Sequence, residues 1–172
     1  MALTWRSDMS LDVKAFRNAL GSYTTGVTVM TTFASDTGIT AMTANSFTSL
    51  SLEPPLVMWS IDLGSTHFDI FNKTDTFAVN ILGCDHKEIS NTFARSGNDQ
   101  VSTLEGFETS THGNPLLRDA RAVFECEVFE KKAIGDHLVI VGKVLAFNAN
   151  DKAAPLLFSK GKYHGLGATI EE

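Results

Sequence analysis

The residues best suited to hold a ligand without using charge lie in one run, Met42 to Ser60. Thr43, Ala44, Asn45, Ser46, Thr48, Ser49 and Ser51 are all small or hydroxyl- and amide-bearing. Pro54-Pro55 follows, and then the apolar Leu56, Val57, Met58 and Trp59. Small side chains let a ligand approach the backbone closely. Hydroxyls and an Asn amide can donate to phosphate or ring carbonyl oxygens. Composition alone supports a polar edge strand plus a turn equally well.

Three other places carry usable chemistry. Gly135-Asp136-His137 stands where a turn enters a long apolar run, and a histidine there can hydrogen-bond a ligand near neutral pH. An ordinary turn with a half-exposed His is the simpler reading. Lys162-Tyr163-His164 offers a cation and aromatics near the end of the sequence, or a packed terminal strand. Arg95 closes a helical stretch and could meet a phosphate, or merely sit at a helix C-terminus. Other chemistries lack support. The five histidines, His67, His86, His112, His137 and His164, show no i, i+4 pair, and no Cys-x-x-Cys occurs, so no metal site is expected. No Gly-x-Ser-x-Gly announces a hydrolase. Cys84 and Cys126 are read as reduced thiols, at least one of them in the core.

These residues must be positioned by regular elements. Ser10 to Leu20 has Val13, Phe16 and Leu20 at helical spacing, with Ser10 as N-cap and Gly21 as stop. Thr24 to Phe33 is rich in β-branched residues and reads as one strand, with Gly26 as a bulge. Ile39 to Ala44 is its return strand. Pro55 to Ile61 shows no polar face, so both faces are expected to be covered. Thr66 to Asn72 and Asp85 to Phe93 read as short helices, the second capped by Asp85. Phe77 to Leu82 is a strand between them. Arg95 to Pro115 has weak periodicity and reads as a surface loop or lid. Ala120 to Lys131 alternates as a half-exposed strand, and Leu138 to Phe147 is a long strand interrupted by Gly142. About seven strands and three helices with short turns predict a mainly β protein. An antiparallel barrel with helices at its ends fits them best. No Gly-x-Gly-x-x-Gly follows a strand, which disfavours a doubly wound dinucleotide fold.

The 172 residues suit a single domain, 1–172, with 43% hydrophobic and 20% charged content. A net charge of −6 argues against a nucleic-acid or anionic-membrane surface. No apolar run approaches the ~20 residues that span a bilayer. Without an apolar signal core near Met1, a cytoplasmic protein is expected.

An ordered set of motifs resembles one family. Phe16-Arg17-Asn18-Ala19, Thr25 to Val29, and Met42 to Val57 match the short-chain flavin reductases, the reductase components of two-component flavin-dependent monooxygenases. Phe77 to Leu82, Phe124-Glu125-Cys126, Gly135-Asp136-His137 and Pro155 to Phe158 match in the same order, so the likeness runs from Phe16 to Gly165. The resemblance implies a split β-barrel of the FMN-binding type and a homodimer. It implies FMN or FAD as flavin, NADH or NADPH as donor, and delivery of reduced flavin to a partner oxygenase. By position, Thr43, Ala44, Asn45 and Ser46 would line the flavin ring and ribityl chain, with Ser49 and Ser51 beyond them. Ser60 and Ser65-Thr66 would meet the phosphate, and Arg95 its far end. His137 would stand by the flavin–nicotinamide stack, with Asp136 setting its turn. Direct hydride transfer needs ring stacking rather than an acid–base pair, which accords with the missing catalytic cluster. Two alternatives remain at this point. One is a flavin-binding electron-transfer or storage protein without turnover; the other is an interaction domain that binds no flavin.

Overall fold

A computed structural model describes residues 11–34, 38–95, 100–101, 106–150 and 153–170, with 100–101 described by backbone only. The fold is mainly β, and every strand pair is antiparallel.

Helix α1 spans Val13–Leu20. Asp12 caps it, accepting from the Ala15 N–H at 3.0 Å; the expected cap, Ser10, lies outside the described residues. The single strand expected over Thr24 to Phe33 is two strands, β1 (Thr25–Gly26) and β2 (Thr28–Ala34). The break falls at Val27, whose carbonyl accepts from Leu82 N at 2.9 Å. Gly26 therefore marks a change of sheet. β3 (Gly38–Ala44) returns along β2, and the turn between them lies outside the described residues.

β4 (Thr48–Leu52) and β5 (Pro55–Asp62) form the next antiparallel pair. β5 corrects an expectation, because it buries only one face. Val57, Trp59 and Ile61 are buried, while Leu56, Met58 and Ser60 are half-buried. The strands covered on both sides are β2 and β6 (Thr76–Ile81). Helix α2 spans Phe68–Lys73. Lys131 Nζ donates to the Asn72 and Thr74 carbonyls at its end, at 2.8 and 2.6 Å. That cation satisfies groups a helix C-terminus leaves unpaired. After β6 a 3-10 turn, Cys84–His86, leads into α3 (Lys87–Phe93). Asp85 sits inside that turn and caps nothing in α3; His86 Nδ1 accepts from the Gly83 N–H at 3.2 Å instead.

The excursion after Arg95 holds β7 (Gln100–Val101), β8 (Phe107–Thr109) and β9 (Pro115–Leu117). β8 and β9 pair as a hairpin with Phe107, Leu116 and Leu117 buried, so this part is packed structure rather than a lid. The pieces 96–99 and 102–105 lie outside the described residues. β10 (Ala122–Ile134) and β11 (His137–Ala149) are the longest strands. A bulge between Glu125 and Cys126 breaks the expected alternation and turns Glu125 inward. Its carboxylate accepts from Ser110 Oγ and lies 3.2 Å from His112 Nδ1. β12 (Leu157–Ser159) and β13 (Lys162–His164) end the described chain.

The main sheet runs β4-β5-β11-β10-β6-β2-β3-β7, beside a small sheet β1-β12-β13 and the β8-β9 hairpin. These thirteen strands replace the expected seven, mostly by adding short ones. No ladder joins β4 to β7 among the described residues, and the mainly β, antiparallel architecture is the expected one. One core packs Trp59, Phe71, Phe77, Val79, Cys126 and Ile140. Trp59 and Phe71 meet edge to face with ring centroids 4.9 Å apart. A second core gathers Val27, Val29, Ile39, Leu82, Phe93 and Leu156. Cys126 is the expected core thiol, its pKa pushed up to about 12 by burial first and Glu125 second. Gly142 explains the interruption in β11: a Cβ there would lie 2.5 Å from Phe77 Cζ and 2.9 Å from Cys126 Cβ.

Candidate functional site

Where β3 runs out, the chain leaves the sheet at Asn45 and re-enters it at Thr48. This exit faces the end of β5 and the start of β11, whose register sets His137 opposite Asp62. Between them lies a cleft of about 200 Å³ lined by Met42 to Ser46, Ser60 to Asp62, Ser65 and His137. A second cleft of similar volume shares Met42, Thr43 and Ser65, and continues past Gly64, Thr66 and His67 to Phe93, Ala94 and Arg95. The fold thus brings together Thr43, Ala44, Asn45, Ser46, Ser60, Ser65, Thr66, Arg95 and His137 from distant parts of the sequence. Ser49 and Ser51 line neither cleft; both stand on the edge strand β4. Asp136 lines neither, and its carboxylate contacts His137, which does line the first.

Several of these hydroxyls build the walls. Thr43 Oγ1 donates to the Ser90 carbonyl at 2.8 Å, tying β3 to α3. Ser46 Oγ donates to the Ser60 carbonyl at 2.9 Å and accepts from Ser60 N at 3.0 Å, clasping the loop to β5. Ser65 Oγ accepts from His67 N at 3.2 Å. The Asn45 side chain is exposed, and neither it nor the Ser60 hydroxyl makes a hydrogen bond to the described residues. Those two remain available to a ligand.

Charge separates along the site. Asp136 Oδ1 lies 2.7 Å from His137 Nδ1. This hydrogen bond, then a backbone bond and the imidazole's charge, hold the Asp136 carboxyl below its ordinary value, against a small opposing effect of burial. An ionised Asp136 accepts the proton on Nδ1, which leaves Nε2 free to face a ligand. Asp62 Oδ1 accepts from Gly64 N at 2.7 Å. Among the described residues, Arg95 supplies the one full cation lining either cleft, at the far end of the second. Asp62, Asp136 and His137 offer atoms within 4.8 Å of one another. They meet across the β5–β11 pair, so no spacing in the sequence announces the group.

Sequence reasoning missed Met42, Ile61, Asp62, Gly64, His67, Phe93 and Ala94 as lining residues. Asp62-Leu63-Gly64 did carry a signal, because Asp two before Gly is a turn pattern. The others line the clefts only through strand register and helix placement.

The comparisons with known proteins place the chain by family and fold. The sequence pattern of the flavin reductase like domain matches residues 20–167. The chain is 40% identical over 150 residues to an FMN reductase (NADH) of Agrobacterium fabrum, covering 87% of this chain and 84% of that protein. It is 35% identical over 167 residues to an NADH-dependent flavin reductase of Pseudomonas fluorescens, covering 95% and 96%. Some relatives are longer: the chain spans only 48% of a probable flavin reductase of Rhizobium meliloti, at 36% identity and 88% of this chain. Among solved structures, the flavin reductase PheA2 superposes with a TM-score of 0.83 at 38% identity, covering 92% of this chain and all of that one. An NADH:FAD oxidoreductase of Streptomyces globisporus, solved with NAD and FAD fragments, gives 0.85 at 31% identity, covering 93% and 96%. The chain belongs to the flavin reductase like domain family.

Proposed function

We propose that this protein is an NAD(P)H-dependent flavin reductase that passes reduced flavin to a partner monooxygenase. The carrying observation is the pair of adjoining hydroxyl-rich clefts, one lined by Asp62 and His137 and the other by Arg95. That arrangement fits a flavin: an anionic phosphate suits the Arg95 end, and neutral donors suit a polar ring. FMN or FAD, when bound, supplies the hydride-accepting chemistry, and a nicotinamide supplies the hydride. NADH is the favoured donor, since relatives are named for it, with NADPH the other arm of the test.

The chain's own groups bind and orient. Asn45 and the Ser60 hydroxyl hydrogen-bond the flavin. Thr43 and Ser46 hold the walls apart at a fixed spacing. His137, steadied by Asp136, presents Nε2 to the carboxamide N–H of the nicotinamide. Neutral hydrogen bonds contribute about 0.5–1.5 kcal/mol each, which suits a flavin that must leave for a second protein. Relatives named as reductase components of monooxygenases support that destination.

We further propose one domain, a homodimer and a cytoplasmic setting. Helix α1 buries none of its residues, and Val13, Phe16 and Leu20 stand exposed. Beside it a groove of about 1460 Å³ reaches Asn45 and Ser46, so a second copy covering α1 would wall the site. Cys84 and Cys126 are both free thiols, which suits a reducing compartment. No helix among the described residues is long and apolar enough to cross a membrane.

Anaerobic oxidation of NADH and NADPH with FMN and FAD tests the reading. Flavin-dependent turnover with either donor is expected. Flavin binding without turnover would replace it with a carrier protein, and absence of flavin binding would end it. In the same assay His137→Ala should raise the nicotinamide KM more than the flavin Kd.

A further inference from the structure

Lys162-Tyr163-His164 is the one sequence motif that the proposed chemistry leaves unused. The Tyr163 hydroxyl lies 2.8 Å from Ser90 Oγ, and either can donate. Ser90 is fully buried in α3. Its carbonyl accepts twice, from Ala94 N at 3.0 Å and from Thr43 Oγ1 at 2.8 Å. Ala94 and Arg95, the residues that leave the helix here, line the cleft beside Thr43. Ser90 therefore stands at the junction of the terminal hairpin, helix α3 and the cleft wall.

The junction is needed because α3 is short and ends without help of its own. It has seven residues, and no basic residue stands in its last turn. Helix ends leave carbonyls unpaired and tend to fray. Tertiary ties fix this one: Phe93 packs on Phe107 with centroids 6.0 Å apart, and Ser90 holds Thr43 and Tyr163. The Tyr163 ring is itself held edge-on against Phe158, 5.4 Å away.

We infer that Tyr163 is a positioning residue for the flavin cleft, acting through Ser90 to fix Thr43 and the Ala94–Arg95 end of α3. The inference rests on the flavin-reductase reading above. Tyr163 touches neither cleft and has no part in hydride transfer.

The test compares wild type, Tyr163→Phe, Ser90→Ala and the double variant by flavin titration, steady-state kinetics and thermal melting. Tyr163→Phe should raise the FMN and FAD Kd about three- to tenfold, the range one neutral hydrogen bond spans. At saturating flavin kcat should stay within about twofold, and the nicotinamide KM should not move, because hydride-transfer geometry is untouched. The double variant should bind flavin no worse than the worse single one, as expected of residues in one chain of contacts. Ser159→Ala is the control. It removes another side-chain tie of the tail, Thr24 Oγ1 to Ser159 Oγ at 3.0 Å, without touching Ser90, and should leave the flavin Kd unchanged. A lowered melting point in Tyr163→Phe with unchanged flavin Kd would overturn the inference, as would additive losses in the double variant. If wild type binds no flavin, the functional reading fails first, and this inference with it.

Discussion

Strand β5 and helix α1 both carry large apolar side chains, and the fold treats them oppositely. β5 turns Val57, Trp59 and Ile61 into the core and leaves Ser60 for the cleft. α1 leaves Val13, Phe16 and Leu20 exposed, and none of its residues is buried by the described residues. Burying such a side chain fully contributes about 1.5–3 kcal/mol, a gain α1 forgoes in the isolated chain. The difference separates a wall whose apolar face the chain itself buries from a helix whose apolar face the described residues leave exposed. His137, Ser60 and Asp62 sit on the first kind; the groove beside Asn45 opens on the second.

The largest break in this contrast is Trp59→Ala. It should cost about 3–5 kcal/mol in urea unfolding, because a large ring leaves a cavity against Phe71 and Phe77. Phe16→Ser should change the unfolding free energy of the monomer by no more than about 0.5 kcal/mol. Its effect should appear in sedimentation instead, as a dimer weakened about tenfold or more, consistent with losing one covered aromatic. Equal costs for the two variants in the monomer would erase the contrast.

Gly142→Ala comes next, with an expected cost of about 1–3 kcal/mol from overpacking. The added methyl must displace Phe77 and Cys126, neither of which has slack, since both are fully buried. A neutral result by chemical denaturation would mean that the β5–β11 side of the core is looser than its packing shows.

The smallest effect is electrostatic. His137 holds the Asp136 carboxyl below its ordinary 3.8, so the folded state favours the ionised form. Its contribution to stability is complete above the unfolded pKa and is lost as pH falls through the lower folded value. A carbon-detected NMR titration should place the Asp136 midpoint below 3.8, and His137→Gln should move it back up. A wild-type midpoint at or above 3.8 would leave His137 without its anchor.

Much of this was legible in the sequence because it is local. The β-branched run after Thr25, the hydroxyl-rich stretch from Thr43 and the Gly135-Asp136-His137 turn each declare their element or their chemistry within a few residues. The misreadings share one cause. Periodicity shows which residues are apolar, but not which neighbour covers them. β5 therefore looked buried on both faces, and the split of β1 from β2 at Val27 was invisible. The Glu125 bulge was hidden for the same reason, since its partner Ser110 comes from another hairpin. In the site, the sequence named polar residues and missed Met42, Ile61 and Phe93. Strand register and helix placement bring those three to the cleft, and no motif of their own marks them.

The small sheet adds a consequence about time. β1 pairs with β12, and Thr24 bonds Ser159 across a separation of 135 residues. Every strand of the main sheet precedes β12 in the sequence. Pairings this distant in sequence are among the slowest to form. The main sheet can therefore assemble while the groove margin and the Tyr163 tie are still missing, so those two contacts form late relative to the scaffold they join.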